Sequence, residues 1–92
     1  MKKNQTILIA DDDANICELV RLYLEKEGFD TVVCLNGERA LEIWRAGGID
    51  LAILDIMMPK KDGWQVCREI REISSKPVIM ITAKGEVFDK VL

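Results

Sequence analysis

Apolar residues in this chain come in short runs, each stopping at a polar or turn residue. Ile7-Leu8-Ile9 gives way to Asp11-Asp12-Asp13, Leu51-Ala52-Ile53-Leu54 to Asp55, and Val78-Ile79-Met80-Ile81 to Thr82-Ala83. Unbroken apolar runs of this length predict strands buried on both faces, as a parallel sheet requires. Residues 31–35 are rich in β-branched side chains and predict another strand. Between the strands the period changes. Ile16, Leu19, Val20, Tyr23 and Leu24 recur at helical spacing and predict an amphipathic helix over 14–27, capped by Asp13 and stopped by Gly28. Asn36-Gly37 reads as a turn into a helix over 38–45 that points Ala40, Leu41 and Trp44 inward and ends at Gly47-Gly48. After Pro59 and Asp62-Gly63, residues 64–73 place Val66, Cys67, Ile70 and Ile73 on one helical face. Residues 85–92, with Phe88, Val91 and Leu92 apolar, predict the start of a fourth helix.

Strand and helix alternate without interruption, which predicts an α/β domain with a parallel sheet between two helical layers. The 92 residues fit one domain, and the pattern breaks off inside its last helix, as a truncation would. Thirteen basic and sixteen acidic residues leave a net charge of −3, and no basic stripe with interleaved aromatics suggests nucleic-acid binding by this chain. No apolar run approaches the roughly 18 residues of a membrane span. Cys17, Cys34 and Cys67 lie in apolar or amphipathic segments without CxxC spacing, and the chain has no histidine, so zinc is not expected. Such cysteines fit small buried hydrophobes in a reducing, cytoplasmic compartment.

In open parallel sheets, sites form beyond the carboxyl ends of the strands. If the first and third strands are neighbours, Asp11, Asp12 and Asp55 converge there. Carboxylates about 5 Å apart repel by about 3 kcal/mol per pair at an effective dielectric near 20, so the cluster calls for a cation. Oxygen donors alone select Mg²⁺ or a relative. The Thr82 hydroxyl, at the end of another strand, would face the same spot. That set suits phosphoryl transfer with Asp55 as the nucleophile. Each residue taken singly has a plainer role: an aspartate before a helix is ordinarily a cap, which is the reading for Asp13, and one after a strand is often a turn residue. It is the convergence at three strand ends that favours a site.

Three motifs in register carry a resemblance covering nearly the whole chain. Ile-Leu-Ile-Ala-Asp-Asp-Asp (7–13), Leu-Ala-Ile-Leu-Asp-Ile-Met-Met-Pro (51–59) with Asp62-Gly63, and Pro-Val-Ile-Met-Ile-Thr-Ala (77–83) resemble the response-regulator receiver domain of two-component signalling. The resemblance implies a CheY-like, flavodoxin-like doubly wound sheet of strand order 2-1-3-4. It implies Asp55 as phosphoacceptor from a sensor histidine kinase, Asp12 as a direct Mg²⁺ ligand, Asp11 acting largely through water, and the Met57 backbone carbonyl as a third protein ligand. Thr82 would be the switch hydroxyl, with Ala83 leaving room for it. Residues 82–92 are similar to the OmpR/PhoB branch, whose members join the receiver to a winged-helix DNA-binding domain, so transcription regulation is the implied output.

The chain departs from that family by lacking a fifth parallel strand, with its lysine and aromatic switch residue, and a fifth helix. Lys84 follows the switch threonine and is expected on the loop rim, not in place of that lysine. An apolar sheet face and an unpaired edge at residues 78–81 would then be exposed, a route to a homodimer or a strand-swapped form. Two other readings compete. One is an assembly or binding module whose acidic site is vestigial. The other is an aspartate-nucleophile phosphatase, which would need a second carboxylate two residues after the nucleophile, where this chain has Met57.

Overall fold

In the computed structural model, residues 4–81 and the backbone of residues 87–90 are described. Strands β1 (Thr6–Ala10), β2 (Asp30–Cys34), β3 (Leu51–Asp55), β4 (Val78–Ile81) and β5 (Val87–Lys90) form one sheet, with helices α1 (Ala14–Lys26), α2 (Gly37–Ala46) and α3 (Gly63–Arg71) between the first four strands. The order is β2-β1-β3-β4-β5. The first four are parallel in the order 2-1-3-4 predicted above.

The apolar strands alternate between two unequal faces. Leu8, Ala10, Ala52, Leu54, Val78 and Met80 point towards α2 and α3, where they join Ala40, Leu41, Trp44, Val66, Cys67 and Ile70 in the larger core. The opposite face is thinner. There Ile7, Ile9 and Cys17 are buried, with Val20, Leu24, Phe29, Leu51 and Ile53 only partly covered. Ile79 and Ile81, alternating with Val78 and Met80 along β4, are half-buried. Apolar side chains on this face are therefore only partly covered by the described residues.

Three expectations need correcting. Residues 87–90 form a strand, not part of a helix, and pair antiparallel with β4. The physical reason is the sheet edge: β4 offers a row of unpaired backbone groups, and Val-Phe in this segment suits a strand. The edge expected to be open at residues 78–81 is thus paired, which removes that premise for strand swapping. Second, α1 does not bury its whole apolar stripe. Cys17, Val20 and Leu24 form the line that meets the sheet, while Leu19 and Tyr23 are 70% and 69% exposed and Ile16 is exposed as well. The stripe spans two adjacent helix flanks, and one layer of sheet covers only one. Third, α3 ends at Arg71, so Ile73 falls beyond the helix and is exposed.

The capping chemistry is as the sequence implies, with one change. The Asp13 carboxylate accepts from the Asn15 and Ile16 amides and caps α1. Asn36 is a cap too, accepting from the Arg39 amide at 2.8 Å, so Gly37 is the first residue of α2 and not a turn residue before it. All three cysteines are free and buried. Burial pushes the Cys17 thiol up to about 11. Among the described residues no helix is long and apolar enough to cross a membrane.

Candidate functional site

Register brings the carboxylates together. Ala10 pairs with Leu54 across β1 and β3, so Asp11 and Asp55 leave the sheet at adjacent points on its carboxyl edge. One carboxylate oxygen from each of Asp11, Asp12 and Asp55 lies within 4.8 Å of the others. Asp11 and Asp55 are 5% and 7% exposed and are the buried acidic residues among those described, whereas Asp12 is open to solvent.

Backbone ties hold each in place. The Asp11 amide donates to the Cys34 carbonyl at 3.2 Å, and its own carbonyl accepts from the Cys17 thiol at 3.3 Å. Its carboxylate accepts from the Asp13 amide at 2.9 Å. The Asp55 carboxylate accepts from the Met57 amide at 3.3 Å, which sets the Met57 backbone beside it. The following Ile56 amide donates to the Ile81 carbonyl at 2.9 Å, so the chain leaves β3 tied to the end of β4. The Met57 side chain is 67% exposed.

The electrostatics show strain in the cluster. Burial pushes the Asp55 carboxyl up to about 6, and the neighbouring Asp11 and Asp12 charges push the same way against the Met57 hydrogen bond. Asp11 is also raised, chiefly by burial and further by Asp12 and Asp13, although the Asp13 amide opposes the shift. Ionised carboxylates that are buried and unpaired are costly, and no cationic side chain is hydrogen-bonded or ion-paired to any of the three among the described residues. An open cleft of about 510 Å³, lined by Asp12, Met57, Met58, Pro59 and Asp62, lies beside them. Asp62 has a separate task there, capping α3 through the Gln65 amide.

The loop between β3 and α3 is the part the sequence did not reveal. Lys60 adopts a left-handed backbone with φ 73°, and the Lys61 amide donates to the Pro59 carbonyl at 2.9 Å, making a tight turn. Gly63 sits against the backbone of Asp55 and Ile56, and Gly37 against that of Lys61, with no room for a side chain at either. The glycines are visible in the sequence, but their contacts arise only when distant elements meet. Thr82 and Ala83, and Lys84 after them, lie outside the described residues.

The described residues thus form a mostly parallel α/β sheet with three acidic side chains gathered at its carboxyl edge. The family model described as "Response regulator receiver domain" matches residues 7–91, and the chain belongs to that family. Among curated proteins it is 47% identical over 90 residues to the "Probable transcriptional regulator ycf27" of Cyanidium caldarium, covering 98% of this chain and 36% of the relative. It is 46% identical over 89 residues to the "Transcriptional regulatory protein ResD" of Bacillus subtilis, covering 96% and 37%. The chain therefore spans little over a third of these transcription regulators of the OmpR/PhoB type. Among solved structures, the response regulator TrrA of Thermotoga maritima in complex with Mg²⁺ and BeF superposes with a TM-score of 0.82 at 41% identity, covering 86% of this chain and 70% of that one. The BeF₃-activated receiver of RstA from Klebsiella pneumoniae gives 0.82 at 37% identity, covering 86% and 68%.

Proposed function

We propose that this chain accepts a phosphoryl group on Asp55 in a Mg²⁺-dependent transfer from a sensor histidine kinase, and that the change alters a transcription output carried elsewhere in the parent protein. The observation that carries this reading is the buried pair Asp11–Asp55 with Asp12 beside it, three carboxylate oxygens within 4.8 Å and no cationic side chain paired with them among the described residues. The donor set fits Mg²⁺. It offers hard oxygens without histidine or thiolate, and two oxygens on one Mg²⁺ ion sit at most about 4 Å apart, close to the spacing here. Asp12, Asp55 and the Met57 carbonyl would hold the ion directly, with Asp11 acting largely through water. When bound, it neutralises the phosphoryl oxygens and relieves the repulsion among the carboxylates.

The chain's own part follows from the geometry. Asp55 must be ionised to attack; above about pH 6 it is, despite burial. Its free oxygen forms the new bond to phosphorus while the bond from phosphorus to the donor nitrogen, or to the oxygen of acetyl phosphate, breaks and the leaving group keeps the electron pair. The Met57 amide, already donating to Oδ1, fixes the carboxylate plane. Thr82 and Ala83 serve as the switch pair in this reading. Ile81, immediately before them, is the register partner of Asp55, which supports that role.

TrrA, as its structure is described, binds Mg²⁺ and BeF, and the same ligand chemistry fits the acidic cluster here. The protein acts as a signalling switch that catalyses its own phosphorylation, in the cytoplasm, and reaches DNA only through a domain outside this chain. Incubation with acetyl phosphate and Mg²⁺ should add one phosphoryl mass, which Asp55→Asn removes. Label that survives Asp55→Asn overturns the assignment. A folded chain that shows no response to Mg²⁺ would favour a vestigial site.

A further inference from the structure

We propose that Gly37, at the start of α2, is a positioning residue for the acidic site, acting through the turn at residues 59–61. The inference deepens the phosphoacceptor reading above and rests on it. Gly37 is buried, and a Cβ built there would overlap the Lys61 carbonyl oxygen, with the Lys61 carbonyl carbon at 2.8 Å and its Cβ at 2.9 Å. The obstacle is backbone, so no side-chain rotation clears it. Its φ is not among the positive values found at Gly28, Gly47 and Gly48, so the need for glycine here is not conformational. A first-turn alanine would ordinarily favour a helix over glycine. What forbids a side chain is the neighbouring turn.

Neither partner can readily withdraw. Helix α2 is anchored in the core by Ala40, Leu41 and Trp44, all buried. The turn is already tight, with Lys60 in a left-handed conformation and Lys61 bonded back to Pro59. The Gly37 amide itself donates to the Pro59 carbonyl at 3.5 Å, and the Lys61 ammonium reaches Glu69 on α3 at 2.7 Å. At its far end the segment is closed by Gly63, whose amide donates to the Ile56 carbonyl at 2.9 Å. Met57 lies within this clamped segment, two residues from Pro59, and its amide holds the Asp55 carboxylate. The start of α2 therefore sets how far the turn sits from the sheet edge, and with it the position of the Met57 backbone that the site uses. Gly37 touches neither metal nor phosphoryl group; it limits where those ligands stand.

Mg²⁺ titration of the intact 92-residue chain tests this against a matched loss of stability. Gly37→Ala should weaken Mg²⁺ binding about fivefold or more and slow acetyl phosphate labelling at subsaturating Mg²⁺. Ile70→Val, which loosens the core without touching the turn, should leave Mg²⁺ affinity within about twofold of wild type. Equal affinity in Gly37→Ala and wild type overturns the inference while leaving the site reading intact. A wild-type chain that binds no Mg²⁺ overturns the site reading and the inference with it. A measurement without substitution guards against a variant that does not fold. In wild-type spectra, the Gly37 amide resonance should shift with Mg²⁺ at the same midpoint as Met57, while the Leu41 and Trp44 amides in the same helix stay still. A Gly37 amide indifferent to Mg²⁺ also overturns it.

Discussion

Asp11 and Asp55 bring carboxylate oxygens within 4.8 Å of each other at the carboxyl ends of neighbouring strands, and both are nearly lost to solvent. Two buried like charges so close raise each other's affinity for a proton or a cation. Most of what can be tested about this protein follows from that pair.

The pH dependence has a definite sign. Asp55 is held up to about 6 in the folded chain and titrates near the model-peptide value of about 3.9 when unfolded. Between those values the folded chain keeps a proton that the unfolded chain has lost, so this group's contribution to stability falls as pH rises and levels off above about 6. Asp55→Asn should therefore match wild type near pH 4 and exceed it by about 2 kcal/mol at pH 7 in urea unfolding without divalent ions. A difference that stays flat with pH would contradict the buried charge.

Proton and metal compete for the same oxygens. Apparent Mg²⁺ affinity should fall as pH drops through about 6, and Asp55→Asn should flatten that dependence. Calorimetric titration at pH 5 and pH 8 would show it.

Two of the three consecutive aspartates, Asp12 and Asp13, should behave differently. Asp12→Ala should lower Mg²⁺ affinity by about tenfold or more, equivalent to about 1.4 kcal/mol. Asp13→Ala should leave affinity near wild type and cost about 1 kcal/mol of stability, because its carboxylate is engaged in capping α1. Combined titration and denaturation of the two variants separates ligand from cap.

The unequal faces of the sheet predict unequal sensitivity. Leu54→Ala, in the larger core and fully buried, should cost about 2–5 kcal/mol. Ile79→Ala, half-buried on the thinner face, should cost less than half as much. Chemical denaturation of both variants tests the ranking.

Much of this was legible in the residues. Four apolar runs and their stops locate the parallel strands, and the helical stripe containing Ala40, Leu41 and Trp44 was placed correctly because its neighbours are strongly polar. Asp11, Asp12 and Asp55 could be singled out because strand order dictates which strand ends meet. The stripe on α1 was less decisive: it carries more apolar residues than one face can bury, and sequence does not say which flank the sheet takes. Residues 87–90 followed the pairing offered by β4 and not their own spacing. The closeness of Gly37 to Lys61 had no local signal, since it depends on how a helix and a distant loop dock.

Strand β4 reads Val-Ile-Met-Ile, greasy at every position, so its side chains do not say which alternate set belongs inside. A slip by one residue would exchange the two faces with little loss of hydrophobic character. Backbone bonds mark the observed register at both ends: the Ala52 amide on the Pro77 carbonyl at 3.2 Å and the Ile56 amide on the Ile81 carbonyl at 2.9 Å. Those two bonds act as a gauge. They fix the height at which the strand's last residue, Ile81, stands beside Asp55, so the acidic edge is aligned by main-chain bonds that no side-chain substitution in β4 removes directly.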